Sequence, residues 1–171
     1  IMGRMALAAK IGGAVAIRAN SVSDINEIKR VTGLPVIGLL KRCYGNSDIY
    51  ITPTLKEVNE LLETECEVIA IDATKRARPN GDSLKALIDA VHQRNRLAMA
   101  DISTLEEAKE AEKLGFDMIS TTLAGYTPYS YQTEGPDFRV IRECMENIKI
   151  PVIAEGRIST VEELREVLKY N

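Results

Sequence analysis

Six short apolar runs, separated by helical patterns, constrain this chain more than anything else in its sequence: Ala14–Ala19, Val36–Leu40, Val68–Ile71, Leu97–Ala100, Met118–Thr121 and Val152–Ala154. They are rich in Val, Ile, Leu and Ala and nearly continuous rather than alternating, which is the pattern of parallel strands covered on both faces. The segments between them read as amphipathic helices with their own start and stop signals. Asp24 or Ser23 is expected to cap a helix burying Ile25, Ile28 and Val31, stopped by Gly33. Thr54 precedes a stripe of Leu55, Val58, Leu61 and Leu62, and Asp82 or Ser83 precedes Leu84, Leu87, Ile88 and Val91. Thr104-Leu-Glu-Glu107 reads as a capping box, and Asp137 as the cap of a segment carrying Val140, Ile141 and Met145. Strand and helix alternate with no linker, so residues 1–171 read as one α/β domain.

Two internal echoes sharpen the topology. Ile102-Ser-Thr-Leu-Glu-Glu107 recurs as Ile158-Ser-Thr-Val-Glu-Glu163, and Leu34-Pro-Val-Ile-Gly38 resembles Ile150-Pro-Val-Ile-Ala154. The first pair is offset by 56 residues, the length of two βα units. The chain starts at Ile1 inside a helical pattern (Met2, Met5, Ala6, Ala9) and stops at Asn171, where a further strand is due. The expectation is a (β/α)8 TIM barrel of about 220 residues, incomplete at both ends and lacking its first strand and last βα unit. The alternative is an open doubly wound sheet, which usually carries a Gly-rich phosphate loop after its first strand. No GxGxxG or GxxxxGK[ST] occurs, and Gly12-Gly13 precedes a strand rather than following one.

Composition narrows the function classes. The net charge is −3, with charged residues scattered along the chain, a poor match to nucleic-acid binding. No apolar run approaches the roughly 20 residues that cross a bilayer. Three cysteines (Cys43, Cys66, Cys144) without close pairing suit a reducing cytoplasm better than a disulfide framework. With His92 the only histidine, and placed in a helical pattern, a Cys/His metal site or a Ser-His-Asp triad has little to build from.

The residues that end the strands carry the chemistry. Arg18 and Lys41 close the first two runs, then come Asp72, Asp101, Thr121-Thr122 and Glu155. In a barrel the carboxyl ends of the strands meet on one face, where active sites are assembled. A charge placed there costs desolvation energy unless it is paired or solvated, so its repetition points to a site. Each also has a plainer reading: Arg18 as an ion-pair partner, Asp72 as a turn residue, Asp101 as a brace for the next helix. The basic loop Lys75-Arg76-Ala-Arg78 can attract an anion or be merely solvated, and Gly125–Ser130 can close over a ligand or rest on the rim. An amine with carboxylates suits proton transfer next to a carbonyl, with lysine as the base. The same lysine serves a Schiff-base aldolase equally well, and a non-catalytic sugar-phosphate-binding barrel is the rival from outside the enzymes.

Together, Ala16–Asn20, Pro35-Val-Ile-Gly-Leu-Leu-Lys41, Tyr50-Ile-Thr-Pro-Thr54, Ile71–Lys75, Met99–Glu107, Thr121–Tyr129 and Ala154-Glu-Gly-Arg-Ile158 resemble the N-acetylmannosamine-6-phosphate 2-epimerase family. The resemblance implies a barrel isomerase that interconverts N-acetylmannosamine 6-phosphate and N-acetylglucosamine 6-phosphate in sialic acid breakdown. It implies a cytoplasmic enzyme needing no cofactor or metal, with an amino-sugar phosphate as its partner and neither nucleic acid nor membrane. Barrels of this kind commonly pair as homodimers. By the same resemblance Lys41 and Glu155 are catalytic, and Arg18 and Asp101 hold the sugar. The family's Gly-rich segment and later arginine for the 6-phosphate fall outside these residues, so this stretch on its own is expected to be inactive.

Overall fold

Each of the six apolar runs contains a strand in the computed structural model, which describes residues 1–170. The strands are β1 (Ile17–Asn20), β2 (Val36–Leu39), β3 (Val68–Asp72), β4 (Leu97–Asp101), β5 (Met118–Ser120) and β6 (Val152–Ile153). The helices are α1 (Met2–Ile11), α2 (Val22–Thr32), α3 (Leu55–Leu62), α4 (Leu84–Gln93), α5 (Leu105–Leu114), α6 (Phe138–Asn147) and α7 (Val161–Val167). Packing divides the chain into two units, one of Ile1–Asp72 with Arg76–Ala98, the other of Ala73–Lys75 with the chain from Met99 onward.

In the first unit β1 pairs with β2 and β2 with β3, all parallel, with Ile17 opposite Val36 and Ile37 opposite Val68. In the second, β4 pairs with β5 and β5 with β6, again parallel. Strands follow chain order within each unit, without the reversal that marks the switch point of a doubly wound sheet. This is a TIM-barrel-like α/β arrangement. The first core is built from Ile25 and Ile28 of α2, Val58 and Leu61 of α3, and Leu87, Ile88 and Val91 of α4, with Val36, Ile69 and Ile71 from the strands. The second is built from Met99, Ala100, Ile102, Ala108, Ala111, Ile119, Val140 and Ile141. Each Val, Leu, Ile or Met among them stabilises by about 1.5–3 kcal/mol when fully buried. Gly38 lies where a β-carbon would come within 2.9 Å of Ile25 Cδ1 and 3.0 Å of Cys66 Sγ, so α2 packs closer to β2 than any side chain would allow.

Most expected caps form. Thr54 and Glu57 make a complete capping box, and Asp137 accepts from the amides of Arg139 and Val140 at 3.1 Å each. Of the pair Asp82 and Ser83, Ser83 caps α4, while Asp82 Oδ2 accepts the Leu55 amide at 2.9 Å and closes the start of α3. Two expectations need correction. Ser21, rather than Ser23 or Asp24, caps α2 by accepting the Asp24 amide at 3.2 Å, because a single residue connects β1 to that helix. Arg18 is the second residue of β1 rather than its end, because Ala14 still donates its amide to Ala9 O and the chain extends only from Ile17.

Candidate functional site

Lys41 lies two residues beyond β2, where the chain turns back antiparallel to itself and residue 41 bridges Ile51. Its backbone is held from several sides. Asn20, at the end of β1, accepts the Lys41 amide on Oδ1 at 2.8 Å. Thr52 donates its amide to Leu40 O at 2.8 Å and accepts the Leu40 amide on Oγ1 at 3.3 Å. Arg42 donates its amide to Tyr50 O at 2.9 Å, which leaves Lys41 Nζ 6.0 Å from the Tyr50 ring centroid. Thr52 is fully buried at φ 44°, a conformation a β-branched residue adopts at a cost of about 1–3 kcal/mol. The turn is further anchored by Arg42, which pairs with Glu57 and Glu60, and by Tyr44, which donates to Glu57 at 3.0 Å. Burial works against ionised Glu57, but bonds from Thr54, Arg42 and Tyr44 outweigh it and hold the carboxyl below its ordinary range. The Lys41 side chain itself is exposed and Arg18 is half-buried.

In the second unit three strand ends converge. Asp101 ends β4, Ser120 ends β5, and Glu155 follows β6 by two residues. β5 is the middle strand, so its end reaches both neighbours. The Thr122 hydroxyl oxygen lies 3.1 Å from Asp101 Oδ1 and 2.9 Å from Glu155 Oε2. Ser120 Oγ lies 3.1 Å from Glu155 Oε2 and 2.7 Å from Thr122 Oγ1. Thr121 fixes the backbone of the same acid, accepting the Glu155 amide at 3.0 Å and donating to its carbonyl at 2.9 Å. Asp101 and Ser120 are fully buried, whereas Thr122 and Glu155 are half-buried and within reach of solvent. Gly156, at φ 105°, then turns the chain sharply away, in a region that favours glycine. No group of three or more His, Cys, Asp or Glu among the described residues could hold a metal ion.

A family model described as "Putative N-acetylmannosamine-6-phosphate epimerase" matches residues 2–170. The chain belongs to the N-acetylmannosamine-6-phosphate epimerase family. Relatives named "Putative N-acetylmannosamine-6-phosphate 2-epimerase" include one from Clostridium perfringens, 67% identical over 168 residues, 98% of this chain and 76% of the relative. Another, from Clostridioides difficile, is 57% identical over 169 residues, 99% of this chain and 76% of the relative. The solved N-acetylmannosamine-6-phosphate 2-epimerase from Clostridium perfringens superposes with a TM-score of 0.97 at 64% identity, over 99% of this chain and 74% of that one.

Of the four site residues that the epimerase resemblance implies, the structure brings Asp101 and Glu155 to one shared hydroxyl, that of Thr122, and gives Lys41 a fixed backbone next to the strand that carries Arg18. Among the residues doing this work, Thr122 is marked in the sequence as part of the Thr121-Thr122 strand end, whereas Asn20 and Ser120 show only as polar residues at the ends of apolar runs. Asp72 is fully buried and pairs with Arg76 at 2.6 Å. The basic loop is braced rather than loose: Arg76 also reaches Asp48 O at 3.1 Å, and Arg78 reaches Pro53 O at 3.0 Å and Asp72 O. Lys75 Nζ stands 3.9 Å from the centroid of Tyr129.

The segment after β5 is also pinned. Arg157, held at φ 58°, donates to Thr133 O at 2.5 Å and Gly125 O at 2.9 Å, and lies 4.5 Å from the Tyr126 ring centroid. Gly125 itself lies at φ 77°, a conformation that favours glycine, and a β-carbon there would come within 2.3 Å of that guanidinium and push it aside. His92 sits on the exposed side of α4, and Cys66 and Cys144 are buried free thiols; burial pushes Cys144 up to about 12, outside the reactive range. No helix among the described residues is long and apolar enough to cross a membrane.

Proposed function

We propose that this protein is a cofactor-independent isomerase that interconverts N-acetylmannosamine 6-phosphate and N-acetylglucosamine 6-phosphate by removing and returning the proton at C2, as a step in sialic acid breakdown. The observation that supports it most is the meeting of Asp101 and Glu155 at the Thr122 hydroxyl, in a chain 67% identical to a relative with an epimerase name. The C2 proton lies next to a carbonyl only when the sugar ring is open. The Lys41 amine takes that proton, the electron pair passes into an enolate, and hydrogen-bond donors fixed in place stabilise the oxygen. Glu155 supplies the proton on the opposite face or assists ring opening, while Arg18 and Asp101 hold the sugar.

The same reading takes the whole architecture as a (β/α)8 barrel of one domain that works in the cytoplasm, where phosphorylated sugars are retained, and that pairs as a homodimer. Following N-acetylmannosamine 6-phosphate by NMR in D₂O tests it directly: epimer should appear with deuterium at C2. Product without label overturns the reading. Lys41→Ala and Glu155→Gln should each lower kcat by about 100-fold or more.

A further inference from the structure

Thr52, buried at φ 44°, sits between two carbonyls that are both captured at the end of β3 and in the loop that follows it. Ile51 O accepts the Asp72 amide at 3.1 Å, and Pro53 O accepts Arg78 Nη1 at 3.0 Å. The other arm of the Arg78 guanidinium donates to Asp72 O, so one side chain ties residue 53 to the strand end itself. On its other side Thr52 is joined to Leu40, the residue before Lys41: its amide donates to Leu40 O and its hydroxyl oxygen accepts the Leu40 amide. A backbone conformation that costs about 1–3 kcal/mol persists only where its surroundings leave no alternative. Here those surroundings are the end of β3 with its loop on one flank and the Lys41 turn on the other, all within the first unit. Arg78 is half-buried, and burial pulls its pKa below the ordinary value, as befits a guanidinium withdrawn from water rather than presented to it.

We propose that Arg78 is a positioning residue for Lys41: by bridging Pro53 O and Asp72 O it holds Thr52 in its left-handed conformation, and Thr52 in turn fixes Leu40 and the amine that follows. The basic loop then acts through its grip on main-chain carbonyls and not as an attractor of anions. Releasing Pro53 O lets residues 51–53 relax toward extended backbone. That turns the Thr52 amide and hydroxyl away from Leu40 and loosens the bridge between Lys41 and Ile51. The planar guanidinium presents its donors in a fixed fork that spans two carbonyls, whereas a lysine there keeps the charge and lacks the fork. Arg76, on Asp72 Oδ2 at 2.6 Å and Asp48 O at 3.1 Å, braces the loop farther from the strained residue and has the lesser part. That Lys41 is the base rests on the epimerase reading, whereas the coupling of Arg78 to the turn does not.

Backbone hydrogen exchange of Arg78→Met and Arg78→Lys reads the coupling without substrate. In both variants the amides of Arg42 and Thr52 should exchange about 10-fold faster or more, while those of Ile88 and Val91 in α4 keep their wild-type protection. Arg78→Lys retains the charge and most of the volume, so it carries the test where Arg78→Met does not fold. In the NMR assay kcat should fall about 10- to 100-fold in each, with KM within about twofold, because the turn shifts the amine while Arg78 itself does not touch the sugar. Arg76→Met should show a smaller loss in the same direction. Unchanged exchange at Arg42 and Thr52, or equal loss of protection in α4, overturns the proposal. So does full activity in Arg78→Lys, or a raised KM at unchanged kcat, either of which makes Arg78 a charge rather than a brace. A wild type that exchanges no C2 proton refutes the epimerase reading, and faster exchange at Arg42 and Thr52 in the variants upholds the brace without it.

Discussion

Ile102–Glu107 and Ile158–Glu163 carry almost the same six residues, start α5 and α7, and meet different fates. In both, the threonine caps the helix: Thr104 accepts the Glu107 amide at 3.3 Å and Thr160 accepts the Glu163 amide at 3.1 Å. In both, the final glutamate bonds back to the preceding serine, at 2.8 Å on the Ser103 amide and 2.7 Å on the Ser159 amide. The copies diverge in what surrounds that carboxylate. Glu107 is 5% exposed and also accepts from Tyr129 at 2.7 Å and from the Lys75 amide at 2.9 Å. Ser103 in turn receives Thr127 at 3.0 Å, so the first copy ties down the segment that follows β5. Glu163 stays in partial contact with water and serves its own helix, closing a full capping box with the Thr160 amide. The same motif is a local cap in one place and the anchor of a loop in the other.

The acid before each motif differs too. Asp101 directly precedes Ile102, whereas Gly156 and Arg157 separate Glu155 from Ile158, both at positive φ. That insertion, with a side chain longer by one methylene, lets the second acid reach the middle strand from the other side.

The sharpest test of the contrast is Glu107→Ala. It strands buried donors from Ser103, Lys75 and Tyr129, and should destabilise by about 2–4 kcal/mol in denaturant unfolding. Glu163→Ala, measured alongside, should barely move the midpoint, and equal losses would break the comparison. Thr104→Ala and Thr160→Ala remove only the local cap and should each cost about 1 kcal/mol, alike in both copies. Tyr129→Phe has no counterpart at α7 and should cost about 1 kcal/mol while raising amide exchange between residues 123 and 131. The smallest effect concerns acid. The amides of Ser159 and Thr160 hold the Glu163 carboxyl below its ordinary range. Its contribution is therefore complete above the unfolded-state carboxylate value and fades as pH falls through the lowered one. Amides at the start of α7 should lose exchange protection over that acidic interval in the wild type, and the change should be absent in Glu163→Ala.

Periodicity and terminal residues made the six strands, the helices and most caps legible, because those are local properties set by side-chain shape and hydrogen bonding a few residues apart. Where the reading slipped, the cause was a boundary. The one-residue connection at Ser21 moved a cap, and the late start of β1 moved Arg18 inward. Lys41, Asp101 and Glu155 were legible as charges after apolar runs, since a charge there is costly without a purpose. Thr122 stood out only as part of a strand end, and Asn20 and Ser120 did not stand out at all, because a short polar residue after a strand is ordinary until its partner is known.

The order of residues by itself determined the βα alternation, the twin capping motifs and which acids and amine end the strands; these depend on neighbours along the chain. Only the tertiary structure decided that Glu107 is buried under Tyr129, that the basic loop spends Arg76 and Arg78 on Asp72 and backbone carbonyls, and that one threonine stands between two carboxylates. Those outcomes depend on the pairing of β5 with both β4 and β6 and on which groups packing leaves without water, and a hydroxyl carries no mark in sequence of the distant acid it will meet.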